Sequence, residues 1–106
     1  MAVIGYIRVS SNKQTCEHQH FEIEQFAHQN NIIVDRWVEE TISSRKALNK
    51  RQLGRLLEEL KEGDILIAAE ISRLGRSLLE VMHILENCLN KNCQVLPHPE
   101  YYGSHR

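Results

Sequence analysis

The sequence has no excess of basic residues, few cysteines and no long apolar run. Its 13 lysines and arginines are balanced by 14 aspartates and glutamates, which gives a formal net charge of -1. Binding to a phosphate backbone draws on an excess of positive charge, so this balance argues against strong DNA binding by the chain alone. The three cysteines lack the number and spacing of a disulfide framework, so we predict reduced thiols and a cytoplasmic protein. No apolar run is long enough for a membrane span and the N-terminus lacks a signal-peptide pattern, so we expect no membrane partner.

What the sequence does contain is an alternation of strand and helix patterns over 106 residues, which suits one small domain. Apolar runs typical of buried strands occupy 2–9, 32–38, 64–70 and 93–96. Helical spacing of apolar residues covers 15–30, 53–60 and a segment that begins at the Ser77 cap and ends near Asn92, whose stripe is Leu78, Val81, Met82, Leu85 and Cys88. Residues 39–50 are polar and predict a loop. The alternation predicts an α/β fold with a mainly parallel sheet and helices on its faces.

Polar side chains follow the first and third predicted strands. Arg8 and Ser10 lie at the end of the first strand, and Arg73 and Arg76 follow the third. Functional sites in open α/β sheets collect at the carboxyl ends of the strands, so these four residues are expected to share one edge. Guanidinium groups bind phosphate oxygens in a bidentate manner, and a serine held among them is placed to attack phosphorus.

Structural roles for the same residues are also open. Ser10 would then form a turn or cap the next helix, which is a common role for serine after a strand. Arg73 and Arg76 would belong to a solvated loop face. Arg8 fits this reading less well, because a charge within an apolar strand is costly unless it is paired or used.

Two motifs stand out, "YIRVSSNKQ" at 6–14 and "ISRLGRS" at 71–77. Together they resemble the serine recombinase family of resolvases and DNA invertases. Gly63 and Asp64 before the third strand, and the leucine-rich helix that precedes them, also match, so the resemblance covers about 2–96. It implies a resolvase-like three-layer α/β/α fold with a mainly parallel central sheet.

The resemblance implies site-specific DNA recombination of the DNA invertase type, in a prophage or other mobile element. Ser10, rather than Ser11, would attack a DNA phosphodiester and form a 5′-phosphoserine link. Arg8, Arg73 and Arg76 would bind the scissile phosphate. Family members exchange DNA ends within a tetramer built from dimers, so the implied partners are DNA and further copies of the chain. Neither a cofactor nor a metal is implied.

Further positions match polar residues of the family or depart from them. The supporting positions are Tyr6, Gln14, Gln19, Glu40 and Ser72, of which Glu40 and Ser72 stand where the family often has aspartate. Ser43 and Ser44 replace a usual Ser-Gly pair. We expect 1–96 to be an incomplete catalytic domain and 97–106 an irregular tail, without the family's long helix and DNA-binding domain. We therefore expect that the chain alone does not recombine DNA.

Two other functions remain open from the sequence. One is a truncated remnant that keeps the catalytic-domain fold but does not recombine DNA. The other is an unrelated phosphate-binding α/β domain such as a phosphatase, which the paired motifs disfavour. Cys16 and His20 share a predicted helix face, but the chain lacks the ligand spacing of a zinc site, so we predict no metal.

Overall fold

A computed structural model of the chain describes residues 2–9, 13–41, 52–75 and 77–96. The strands are β1 (Val3–Val9), β2 (Arg36–Thr41), β3 (Ile65–Ala68) and β4 (Gln94–Leu96), and the helices are α1 (Lys13–Gln29), α2 (Gln52–Glu59) and α3 (Leu78–Asn90). A single 3₁₀ turn, Ile71–Arg73, follows β3. Strand and helix alternate along the chain as the sequence predicts.

The four strands form one parallel sheet in the order β2-β1-β3-β4. Successive side chains of a strand point to opposite faces, and β1 divides its apolar residues between two cores. Ile4 and Tyr6 pack on one face with residues of α2 and α3, whereas Val3 and Ile7 pack on the other face with α1. The mainly parallel sheet with helices on both faces agrees with the predicted fold class.

Two aspartates fix the start of β1 at the amino edge of the sheet. Asp35 Oδ2 accepts the backbone N–H of Val3 at 2.9 Å, and Asp64 Oδ1 accepts that of Ala2 at 2.9 Å. Asp64 Oδ2 also accepts the backbone N–H of Lys61 at 2.9 Å. These hydrogen bonds hold the pKa of Asp64 below its ordinary value, because they stabilise the charged carboxylate.

The predicted bounds of the second strand are wrong. The apolar run 32–38 suggested the strand, but β2 is Arg36–Thr41 and so takes in three residues assigned to the following loop. β2 is an edge strand, so polar side chains are tolerated along it. Its Glu40 is nevertheless buried, against Tyr6 of β1 and the start of α2. Ile33, which belongs to the apolar run, is 82% exposed.

The buried face of α3 also differs in part from the prediction. Ser77 caps the helix as expected, and its side chain accepts the backbone N–H of Glu80. The buried residues are Val81, Ile84 and Cys88, whereas Leu78 and Met82 are 74% and 56% exposed. The prediction is confirmed at Val81 and Cys88, and Leu85 is half-buried against the same core. It is wrong at Leu78 and Met82, which belong to an adjacent exposed apolar face, and it omitted the buried Ile84.

Candidate active site at the carboxyl edge of the sheet

Arg8 and Arg73 lie at the same edge of the sheet. Arg8 is the second-last residue of β1, and Arg73 ends the 3₁₀ turn that follows β3. β1 and β3 are parallel neighbours, so both strands end at this edge. The chain leaves β1 for α1 on one face and leaves the β3 turn for α3 on the other face. The edge between β1 and β3 is where the strand order reverses, which is the usual ligand position in open α/β sheets.

The two other members of the predicted constellation, Ser10 and Arg76, lie outside the described residues. Their shared site with Arg8 and Arg73 stays a prediction.

Arg8 and Arg73 are both partly buried. Nε and Nη1 of Arg8 and Nε of Arg73 are inaccessible to solvent. Arg8 stands opposite Glu40 in the β1–β2 register, and Nε of Arg73 lies 3.9 Å from Oε2 of Glu70. The Glu70 carboxylate lowers the cost of keeping the positive charge of Arg73 in a half-buried position.

Glu40 is the buried carboxylate of the site, at 4% exposure. Its Oε1 accepts the phenol of Tyr6 at 2.8 Å and the backbone N–H of Leu53 at 3.3 Å, and its Oε2 accepts the backbone N–H of Gln52 at 2.8 Å. The N–H groups at the start of a helix lack partners within the helix, and α2 has no acidic residue in its own first turn. Glu40 supplies that anion from β2 and so joins β1, β2 and α2.

Gln19 and Gln14, the two predicted supporting glutamines, both belong to α1. Gln19 is 2% exposed and bonds the backbone of Arg8: its Nε2 donates to the carbonyl of Arg8 at 2.9 Å, and its Oε1 accepts the N–H of Arg8 at 3.3 Å. The backbone of Gln14 is helical, and its side chain lies outside the described part of the structure.

Ser72 occupies the position where the family motif often has aspartate. It is exposed, and its hydroxyl donates to Oε2 of Glu70 at 3.2 Å. The same carboxylate oxygen faces Arg73. Sequence reasoning missed Glu70, although its position three residues before Arg73 is a spacing at which opposite charges meet on a helical turn.

Cys16 and His20 point from α1 towards β2 but into different contacts. Cys16 is half-buried, and burial together with a hydrogen bond to Glu39 raises the pKa of its thiol. The His20 ring stacks on Trp37 with centroids 3.8 Å apart. Within the described ranges, no group of three or more histidine, cysteine or acidic side chains is arranged to hold a metal ion.

The remaining two cysteines, Cys88 and Cys93, are buried near the end of α3 and the start of β4. Burial raises the pKa of Cys88 to about 11, so this thiol is protonated and unreactive at neutral pH. Both act as small apolar residues of the core that contains α2 and α3.

Comparison with known proteins places the chain in a family. The family model described as "Resolvase, N terminal domain" matches residues 3–102. The chain belongs to the resolvase family of serine recombinases. It is 36% identical to the transposon Tn2501 resolvase of Escherichia coli over 96 residues, which cover 88% of the chain and 47% of that protein. It is also 33% identical to serine recombinase PinR of Escherichia coli K12 over 94 residues, which cover 88% of the chain and 47% of that protein.

A solved structure agrees with the fold of this serine recombinase chain. The N-terminal catalytic domain of TP901-1 integrase matches with a TM-score of 0.69 and 23% identity, covering 87% of the chain and 72% of that domain. The chain spans about half the length of the curated relatives it matches, at 47%. Among the helices within the described ranges, none combines the length and the apolarity that crossing a membrane requires.

Proposed function

We propose that residues 1–96 form a serine recombinase catalytic domain of the DNA invertase type, which cuts and rejoins DNA by transesterification. The observation that carries the proposal is the arrangement of Arg8 and Arg73 at the β1–β3 switch point, with guanidinium nitrogens buried and the chain running from Arg8 directly to Ser10. Family membership supports DNA as the substrate.

The proposed reaction keeps the number of phosphoester bonds constant. The Ser10 oxygen attacks phosphorus, a new bond forms between that oxygen and the 5′-phosphate, and the bond from phosphorus to the 3′-oxygen breaks. The serine hydroxyl loses its proton, and the leaving 3′-oxygen gains one to become a hydroxyl. The reverse attack by a 3′-hydroxyl rejoins the strand without a nucleotide cofactor or a metal ion. Arg8, Arg73 and Arg76 stabilise the charge that develops on the phosphate oxygens.

The carboxylates at the edge have two proposed roles. Glu40 holds the first turn of α2 and the phenol of Tyr6 and so fixes the edge beside Arg8. Glu70 supplies the negative charge that Ser72 lacks, because it contacts both Ser72 and Arg73. Glu70 therefore orients the Arg73 guanidinium and is the proposed counterpart of the motif aspartate.

The proposed assembly contains DNA and further copies of the chain. Cleavage of a duplex on both strands requires two serines on opposite strands, which a symmetric dimer supplies, and exchange requires two such dimers. With a net charge of -1, the chain has little affinity of its own for a phosphate backbone. The test therefore supplies DNA binding from a separate domain, so that it measures only the cleavage chemistry of the chain.

The test fuses the full chain to a DNA-binding domain of known specificity. Its substrate carries the cognate sites on either side of a randomised segment with 3′-bridging phosphorothiolate linkages. Attack on such a linkage releases a 3′-thiol, which rejoins poorly, so a covalent protein–DNA adduct accumulates. We expect adduct from the wild-type fusion and from Ser11→Ala, and none from Ser10→Ala.

Adduct that persists in Ser10→Ala would show that another residue is the nucleophile. The absence of adduct from the wild-type fusion would favour the alternative in which the chain keeps the fold without recombining DNA. Ser11→Ala is the matched control, since it removes the neighbouring hydroxyl and leaves Ser10 in place.

A further inference from the structure

β1 extends beyond its neighbour β3 at the carboxyl edge. It pairs with β2 as far as Val9, opposite Thr41, but with β3 only as far as Tyr6, opposite Ala68. The backbone groups of alternate residues in a strand face the same neighbouring strand. The carbonyl of Ala2 accepts an N–H from the β3 side at Ile65, so the backbone groups of Arg8 also face the β3 side, past the point where β3 has ended.

The side chain of Gln19 takes the place of the missing β3 residue. A carboxamide carries one carbonyl acceptor and an N–H donor, as a peptide group does, and Gln19 uses both on Arg8. The side chain is 2% exposed, so water does not replace these bonds in the folded protein. A buried backbone N–H or carbonyl without a hydrogen-bond partner is costly, and Gln19 supplies the partner for both groups of Arg8.

We propose that Gln19 is a positioning residue of the recombinase centre. Its carboxamide acts as a one-residue substitute for β3 and fixes the end of β1, from which the Arg8 side chain leaves the strand and the chain continues to Ser10. The proposal rests on the proposed function of this edge. Gln19 acts through the backbone of Arg8 and has no direct contact with DNA in this role.

A positioning role for Gln19 differs from a merely structural one in how far the effect of its substitution extends. Gln19 belongs to the same buried side of α1 as Ile23 and Ala27, which pack on the sheet through apolar contacts. Removing part of those apolar contacts lowers the stability of the whole domain. Removing the Gln19 carboxamide should instead loosen the end of β1 first, while the start of β1 remains protected.

Gln19→Met tests this role because methionine has a similar length and lacks the donor and the acceptor. Gln25→Met makes the same change at an exposed position of α1. In the full chain, we expect the Arg8 amide to exchange with solvent at least about tenfold faster in Gln19→Met, with the Ile4 amide unchanged. Gln25→Met should leave both amides as in the wild type.

The second readout is the rate of adduct formation by the DNA-binding fusion, at a temperature where every variant is fully folded. We expect Gln19→Met to slow the rate at least about tenfold, because a displaced nucleophile loses its alignment with phosphorus. Ile23→Val, which weakens the contact of α1 with the sheet without touching Arg8, should keep the wild-type rate.

Unchanged Arg8 exchange in Gln19→Met would overturn the role of Gln19 in the strand. Faster exchange together with an unchanged adduct rate, or an equal loss of rate in Ile23→Val, would overturn its role in positioning. Absence of adduct from the wild-type fusion would overturn the proposed function, and the positioning role with it.

Discussion

Glu40 should contribute more to stability than any exposed carboxylate of the chain, because it is buried and accepts three hydrogen bonds. In Glu40→Gln, one oxygen remains an acceptor and an NH₂ group replaces the other, so a donor faces a donor. A hydrogen bond to a charged group contributes about 1.5–3 kcal/mol, and an anion at a helix N-terminus contributes about 0.3–1 kcal/mol. Losing one such bond together with the charge predicts a fall of about 2–4 kcal/mol in the free energy of unfolding.

Urea denaturation measures this loss, with far-UV circular dichroism for the helices and the fluorescence of Trp37, the single tryptophan, for the sheet. With a slope of about 2 kcal/mol per molar urea, the middle of the range for small proteins, the midpoint should fall by about 1–2 M. Tyr6→Phe removes one of the three donors and should cost about 1.5–3 kcal/mol. Glu86→Gln makes the same chemical change at an exposed position of α3 and should stay within about 0.5 kcal/mol of the wild type. A Glu40→Gln midpoint equal to that of Glu86→Gln would show that the buried carboxylate stabilises the fold no more than an exposed one.

Three further predictions test the fold around the site. Asp64→Asn should cost about 1–3 kcal/mol at neutral pH. The pKa of Asp64 in the folded state lies below the ordinary 3.8, so the difference in unfolding free energy between wild type and Asp64→Asn should be fully present above pH 3.8. It should disappear as the pH falls through the folded-state pKa, and a difference independent of pH would contradict the role of the charge. Gly5→Ala should cost about 1–3 kcal/mol by thermal denaturation, because a Cβ there would lie 2.7 Å from ring atoms of Trp37; an unchanged melting temperature would show that the ring moves aside freely. Ile84→Ala should cost about 2–5 kcal/mol and Met82→Ala under about 0.5 kcal/mol in urea, and the reverse order would mean that the helix buries its other face.

The order of the elements and the parallel sheet were predictable from the sequence, because the central strands are short apolar runs between periodic helices. The second strand was misplaced because β2 is at the sheet edge and has few apolar residues. Its Glu40 is buried only through the start of α2, a contact between segments that are separated in the sequence. The stripe of α3 was right at Val81 and Cys88 but took in the exposed Leu78 and Met82, because the helix carries apolar side chains on two adjacent faces. Periodicity does not distinguish the buried face from the exposed one.

The sheet edge that holds Arg8 and Arg73 was predictable from the sequence, whereas the full set of site residues stays a prediction. Arg8 and Arg73 were assigned to one edge from strand order alone, and the structure places both there. The role of Gln19 was not predictable in physical terms, because it depends on β3 ending before β1 does. The role of Glu70 depends on a 3₁₀ turn that brings its carboxylate towards Ser72 and Arg73.

The central claim is that Ser10 is the residue that becomes linked to DNA. The most direct measurement is tandem mass spectrometry of the fusion–DNA adduct after nuclease and trypsin digestion. Trypsin cuts after Arg8 and Lys13, so the linked residue is read from the peptide 9–13, which contains both Ser10 and Ser11. We expect a phosphate-linked nucleotide remnant on Ser10. A remnant on Ser11, or on any residue outside this peptide, would contradict it.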